Sequence, residues 1–122
     1  MPAPADLLAL LEQMWLGRVF EETVSELYEV IDLRSLAPLD VETATRSIGK
    51  THRALVLSEA VGHGGAAATI AAALQQAAFD ELDAPIGWVA APFSPVPASP
   101  ALEAAYVPRV AQVVGAVNGL LG

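Results

Sequence analysis

The chain has 122 residues, no cysteine, and fourteen acidic against six basic residues, which gives a formal net charge of −8. This length predicts one domain with its own core, and the negative charge excludes nucleic acid as an expected partner because phosphates would be repelled. The absence of cysteine excludes disulfides and thiolate metal sites.

The N-terminus carries no targeting signal that we recognise. Its apolar run begins at Leu7 and is interrupted by Glu12 and Gln13, and no basic region precedes it. We therefore expect neither a signal peptide nor a membrane-spanning helix, and we predict a cytoplasmic protein.

The first predicted element is an amphipathic helix over residues 7–28, with Asp6 as its N-cap. Its apolar face consists of Leu16, Phe20, Val24 and Leu27. A helix with one apolar face has to lie on another surface, so this helix needs a partner surface.

Strands and helices then alternate along the chain. Strands are predicted over residues 29–33, 53–57 and 86–90, because these runs are short, apolar and rich in β-branched residues. A first short helix should run from an Asp40 cap through Ile48 and end at Gly49, and a second should cover residues 66–79.

The C-terminal third is predicted to contain one loop and one helix. Four prolines among residues 92–100 predict an extended, irregular loop, and Pro108 suits the first turn of a last helix. The alternation of strands and helices predicts an α/β fold, a small three-layer α/β/α sandwich around a mostly parallel sheet.

Several blocks occur in a characteristic order: Val30 to Asp40, Lys50-Thr51, Ser58-Glu59, Gly64-Gly65, Leu82 to Pro85, Pro95 to Pro97 and Tyr106 to Pro108. Together they resemble the C-terminal, transketolase-type domain of the beta subunit of the decarboxylating component of pyruvate or branched-chain 2-oxoacid dehydrogenases. Residues 7–28 are similar to the opening helix of the alpha subunit of that component. We therefore divide the chain into an N-terminal helix, residues 1–28, and a transketolase C-terminal-like domain, residues 29–122.

The resemblance implies that a central strand is missing from the sheet. In the parent domain a strand and a helix precede the strand that matches residues 30–33, and nothing in this chain replaces that strand. Unpaired amides and carbonyls need partners, so either residues 29–33 pair with residues 53–57, or a second copy supplies the neighbour. We favour a homodimer.

Thiamin diphosphate chemistry in the resembled family needs a magnesium-binding Gly-Asp-Gly motif and a glutamate that protonates the aminopyrimidine ring. Neither motif occurs in the sequence. We therefore expect no cofactor and no self-sufficient 2-oxoacid decarboxylation, and two histidines without cysteine also make a tight metal site an unexpected feature.

The segment from Ser58 to Gly65 follows a strand and precedes a helix, which is where ligands bind in open α/β sheets. One hypothesis is a pocket in which His63 acts as acid or base, with Glu59 or Ser58 as its partner. The other is that the glycines only allow a tight turn against a neighbouring domain. The glycine spacing does not match the dinucleotide-binding fingerprint.

Asp80, Glu81 and Asp83 form an acidic cluster after the alanine-rich helix. The cluster is either a solvated helix exit or, as the resemblance implies for Asp83, part of a face that docks the basic subunit-binding domain of the acyltransferase component. Our leading interpretation is a non-catalytic, self-associating docking module. The alternatives are a remodelled cofactor-free enzyme that uses the Ser58 to Gly65 turn, and an engineered chimera joined at Tyr28-Glu29.

Overall fold

The computed structural model describes residues 29–122, so the helix predicted over residues 7–28 lies outside the described residues. The elements are α1 (Val41–Thr51), β1 (Leu55–Val61), α2 (Ala66–Ala77), a 3₁₀ turn (Phe79–Glu81), β2 (Gly87–Ala91), α3 (Pro100–Tyr106) and α4 (Val110–Leu121). None of these helices combines the length and the apolar character that crossing a membrane would require.

The sheet consists of β1 and β2, which pair in parallel from Leu55 opposite Gly87 to Val61 opposite Ala91. The amide of Gly87 donates to Ala54 O at 3.2 Å and starts the ladder, and the amide of Gly62 donates to Ala91 O at 3.1 Å and ends it. A parallel pair needs a crossover connection, and α2 provides it.

Helices cover both faces of this sheet, which confirms the predicted α/β sandwich. On one face Val56 belongs to a buried cluster with α1 and α2, whose other members are Ala44, Ile48, Ala67, Ile70, Ala71, Leu74 and Ala78. On the other face Gly87 lies against Leu55 and against Leu120 of α4. Successive residues of a strand point to opposite faces, so Leu55 and Val56 reach different layers.

Alanine determines how closely α2 approaches the sheet. Ala67 and Ala71 are buried with Ile70 and Leu74 along one side of the helix. Small side chains allow the helix axis to come near the strands, while the two larger residues fill the space to either side. The alanine-rich stretch is thus the central packing element of the larger core.

Helix α1 has a hydrogen-bonded cap at each end. The Asp40 carboxylate accepts hydrogen bonds from Thr43 N at 3.0 Å and from Thr43 Oγ1 at 2.7 Å. The Thr43 amide and then its hydroxyl hold the pKa of Asp40 below its ordinary value, because both bonds favour the charged form. At the other end His52 adopts a left-handed conformation, with φ 59°, and its amide donates to Ile48 O at 2.7 Å.

The predicted strand over residues 29–33 is wrong. This segment pairs with neither β1 nor β2, so the alternative in which it joins residues 53–57 is wrong as well. It lies instead against α1, where Lys50 Nζ donates to Glu29 Oε1 at 2.8 Å and Leu33 packs on the core cluster. An apolar, β-branched segment becomes a strand only where a neighbouring strand offers hydrogen bonds.

An ion pair between Glu29 and Lys50 links residues 29–33 to α1. The hydrogen bond from Lys50 and then one from Ser47 lower the pKa of the Glu29 carboxyl, since both stabilise its charged form. The segment then turns at Arg34, which has φ 49°, and at Leu36 to Leu39, a turn that contains the cis Ala37–Pro38 peptide bond. Residues 29–33 thus lie beside α1, between the Glu29–Lys50 ion pair and the turn.

Several predicted boundaries need correction. Helix α1 continues through Gly49, and β1 runs four residues beyond the predicted end at residue 57, to Val61. The predicted loop over residues 92–100 ends in the unpredicted helix α3, where Ser99 is the N-cap and Pro100 occupies the first turn. Pro108 lies before the N-cap of α4, which is Arg109, rather than in its first turn.

We expect Gly49→Ala to stabilise the protein. Gly49 lies inside α1, and a Cβ built there meets no atom within 4 Å. The change should raise the free energy of unfolding by about 0.5–1 kcal/mol, because glycine is more flexible in the unfolded chain. Urea unfolding followed by circular dichroism measures it. Destabilisation instead would mean that Gly49 terminates the helix.

Candidate functional site

Ser58 and Glu59 lie inside β1, in a bulge of its ladder with β2. Leu57 pairs with Val89 and Val61 pairs with Ala91, so residues 58–60 lie opposite Ala90 alone. Such bulges bend a strand and redirect its side chains. The prediction that these two residues follow the strand is therefore wrong, because β1 continues past them.

The Ser58 hydroxyl has a local role in this bulge. Its Oγ accepts a hydrogen bond from the Ala60 amide at 3.2 Å, which satisfies one of the backbone groups that the bulge removes from the ladder. Glu59 is exposed beside it. Within residues 29–122, no hydrogen bond or ion pair joins either side chain to His63.

The glycines of the turn after β1 are required by its geometry. Gly64 has φ +70°, in the left-handed region that glycine favours. A Cβ on Gly65 would lie 1.9 Å from Val61 O, so the helix α2 can begin at this place only with glycine as its N-cap. The turn brings the start of α2 back against the end of β1.

His63 lies at the exposed tip of this turn, edge-on to Phe93. The two ring centroids are 5.0 Å apart and the ring planes are inclined at 66°. Phe93 follows β2 as His63 follows β1, and the carboxyl ends of neighbouring parallel strands meet at one edge of a sheet. Sequence reasoning missed this contact, although the matching positions after the two strands are a signal that could have found it.

Trp88 extends the aromatic surface near this turn. It is 49% exposed and Phe93 is 75% exposed, and the Trp88 Nε1 atom lies 3.9 Å from the position of a Cβ on Gly62. A shallow cavity of about 330 Å³ lies against β2 and is lined by Gly62, Trp88, Val89, Ala90, Ala91 and Gln112. None of the three predicted catalytic candidates lines it.

The acidic cluster forms a defined loop between α2 and β2. Asp80 and Glu81 belong to the 3₁₀ turn, and the Asp83 amide donates to His52 O at 2.9 Å. His52 Nδ1 lies 2.7 Å from Glu81 O, so the left-handed end of α1 holds the loop at two points. All three carboxylates are exposed, and Phe79 beside them is 70% exposed.

The structure thus separates the two sets of predicted site residues. Ser58, Glu59 and His63 gather at the carboxyl end of the sheet, whereas Asp80, Glu81 and Asp83 lie at the amino end of β2. Among residues 29–122 there is no group of three histidine, aspartate or glutamate side chains placed to hold a metal ion.

The sequence matches the model of one known protein family. The model of the transketolase C-terminal domain matches residues 22–113, which is more than half of the chain. The chain belongs to the transketolase C-terminal domain family. The order of elements, with α2 crossing between two parallel strands, agrees with that assignment.

Curated relatives of this family member are beta subunits. The chain is 44% identical over 94 residues to the acetoin:2,6-dichlorophenolindophenol oxidoreductase subunit beta of Bacillus subtilis, a match that covers 77% of this chain and 28% of that protein. It is 44% identical over 90 residues to the chloroplastic pyruvate dehydrogenase E1 component subunit beta-3 of rice, covering 74% of this chain and 23% of that protein. The chain therefore spans about a quarter of the length of these relatives.

We expect Gly65→Ala to destabilise this domain. The added methyl would overlap Val61 O, a backbone atom that cannot rotate away, so the turn must shift at a cost of about 1–3 kcal/mol. Gly115→Ala in α4 is the matched control, since a Cβ there meets no atom within 4 Å. Thermal unfolding of both variants tests the difference. Equal melting temperatures would contradict the close approach.

Proposed function

We propose that this chain is a non-catalytic interaction module of the 2-oxoacid dehydrogenase type that self-associates and docks a basic partner domain. The observation that carries the proposal is the acidic loop, residues 79–83, in which three exposed carboxylates follow an exposed phenylalanine. Its backbone is held to the end of α1 at two points. A preorganised loop loses little conformational entropy on binding.

The partner that this surface fits is a small basic domain. By its resemblance to the E1 beta family, we infer that the partner is the subunit-binding domain of an acyltransferase component, with Asp83 as a central contact. The carboxylates would accelerate encounter and set orientation, because exposed charges affect association rate and register more than affinity. Phe79 supplies the apolar contact that the centre of an interface usually contains.

Self-association is supported by the open edge of the sheet. β1 pairs with β2 on one side, and no strand among residues 29–122 pairs with its other side. The edge of a sheet presents a row of unpaired N–H and C=O groups, which is a ready template for pairing with a strand of another chain. A second copy of the chain can supply the missing hydrogen bonds, so we propose a homodimer.

Asp83→Lys should weaken docking. Reversing this charge places a cation against the basic partner and should lower the affinity for a purified subunit-binding domain by about tenfold, mainly through a slower association rate. Glu103→Lys on α3 is the control, because it makes the same change of net charge away from the loop. Surface plasmon resonance at two salt concentrations measures both. Equal losses in the two variants would contradict a docking role for the loop.

A second candidate function is a cofactor-free enzyme centred on the turn between β1 and α2. The observation that favours it is the position of His63 at the carboxyl end of the sheet, exposed and packed on Phe93. Ser58 and Glu59 lie in the preceding bulge, and a bound ligand would have to bring them to the imidazole. Their acid–base role stays a prediction.

His63→Ala separates the two functions. A docking module should keep its affinity for the subunit-binding domain within about twofold, because the turn and the acidic loop lie at opposite ends of the sheet. Consumption of metabolites from a cell extract, followed by mass spectrometry, tests for catalysis. If the unaltered chain depletes a metabolite and His63→Ala does not, the non-catalytic proposal is wrong.

A further inference from the structure

The outer edge of β1 directs the backbone groups of its odd-numbered residues away from β2. In a parallel ladder alternate residues bond to one neighbour, and here Ala54, Val56 and Ser58 bond toward β2. Leu55 and Leu57 therefore present their N–H and C=O groups on the other side. Among residues 29–122 no strand accepts them.

The outer edge of β1 can pair with the same edge in a second copy of the chain. If a two-fold axis relates the two copies, their β1 strands run antiparallel. Hydrogen-bonded pairs must join odd-numbered residues of one copy to odd-numbered residues of the other. The two-fold axis can pass at Leu55, at Val56 or at Leu57, and only these three registers pair a leucine of one copy, Leu55 or Leu57, with a leucine of the other.

The charges at the ends of this run select one register. Arg53 precedes the apolar residues and Glu59 follows them, each three positions from Val56 along the chain, and Glu59 lies in the bulge of the ladder with β2. With the axis at Val56, Leu55 lies opposite Leu57, and Arg53 of each copy comes near the exposed Glu59 side chain at the bulge of the other. The register centred on Leu55 instead places Arg53 opposite Leu57, and the register centred on Leu57 places Glu59 opposite Leu55.

The two flanking side chains are available for this contact. Glu59 is exposed and has no ion-pair partner within residues 29–122. Arg53 Nη1 donates to Leu120 O at the end of α4, which fixes the guanidinium near the sheet. A guanidinium carries five N–H donors, so others stay free for a carboxylate.

The geometry points to a specific dimer: β1 of one copy pairs antiparallel with β1 of a second copy about a two-fold axis at Val56, closed at both ends by Arg53–Glu59 ion pairs. This rests on the self-association of the proposed function and specifies its surface. The two sheets become one continuous sheet of four strands in the order β2, β1, β1, β2. Leu55 and Leu57, half-buried in the single chain, become covered by their counterparts.

Cysteine substitutions along β1 test the register, because the chain contains no cysteine of its own. In the proposed dimer the two Val56 Cα atoms are about 4.5 Å apart, within the range of about 4.4–6.8 Å that a disulfide spans. Val56→Cys should form cross-linked dimers under mild oxidation. Leu55→Cys and Leu57→Cys are the matched controls, because each pair would cross-link only in one of the other two registers. Efficient cross-linking through either control, with none through Val56→Cys, overturns the proposal.

Charge reversal tests the ion pairs independently of the cysteine variants. Arg53→Glu alone and Glu59→Arg alone should each raise the dimer dissociation constant by about tenfold, since symmetry places the change in two pairs. Adding Glu59→Arg to Arg53→Glu should restore dimerisation to within about threefold of the original. Arg46→Glu on α1 controls for net charge. Sedimentation equilibrium measures all four variants, and failure of the second reversal to tighten the dimer overturns the pairing.

These results separate the specific β1 pairing from the broader proposal that the chain self-associates. A protein that is dimeric but insensitive to the reversals, and that does not cross-link through Val56→Cys, self-associates through another surface, and only the β1 pairing is wrong. A protein that stays monomeric at all concentrations overturns the pairing and the self-association together. Docking to the basic partner through Asp83 is measured separately and survives either outcome.

Discussion

The parallel pairing of β1 with β2 is the constraint on which the described structure depends. Each strand has to bury both faces, so Val56 packs against α1 and α2 while Leu55 packs toward α4. This requirement accounts for the alanine-rich side of α2, which has to approach the strands closely. It also accounts for Gly87, whose missing side chain leaves room for Leu55 and Leu120.

The same pairing positions every candidate functional residue. The carboxyl ends of β1 and β2 bring His63 beside Phe93, although the two are thirty positions apart in the chain, and the bulge at Ser58 to Ala60 occurs where the ladder becomes irregular. At the amino end, the connection from α2 to β2 has to pass the C-terminus of α1, and His52 holds it there. An acidic surface and an aromatic surface thus form at opposite ends of one small sheet.

Membership of the transketolase C-terminal domain family gives this arrangement its context. The chain spans about a quarter of the length of these curated relatives, and among the described residues Val30 to Leu33 form no strand and join neither β1 nor β2. The anchoring of Glu29 by Lys50 replaces strand pairing with a contact to α1. The outer edge of β1 is unpaired among these residues, and we propose that a second copy pairs with it.

The sequence by itself determined the α/β class, the family, the segments that become the two strands β1 and β2, and the turn glycines. These features follow from local patterns, such as the short apolar runs around Val56 and Val89 and the glycines from Gly62 to Gly65. Only the tertiary structure decided that Gly49 lies inside a helix, that residues 29–33 form no strand, and that His63 meets Phe93. Each of these depends on which groups a segment finds next to it, and a hydrogen bond or ring contact between residues far apart in the chain leaves no local pattern in the sequence.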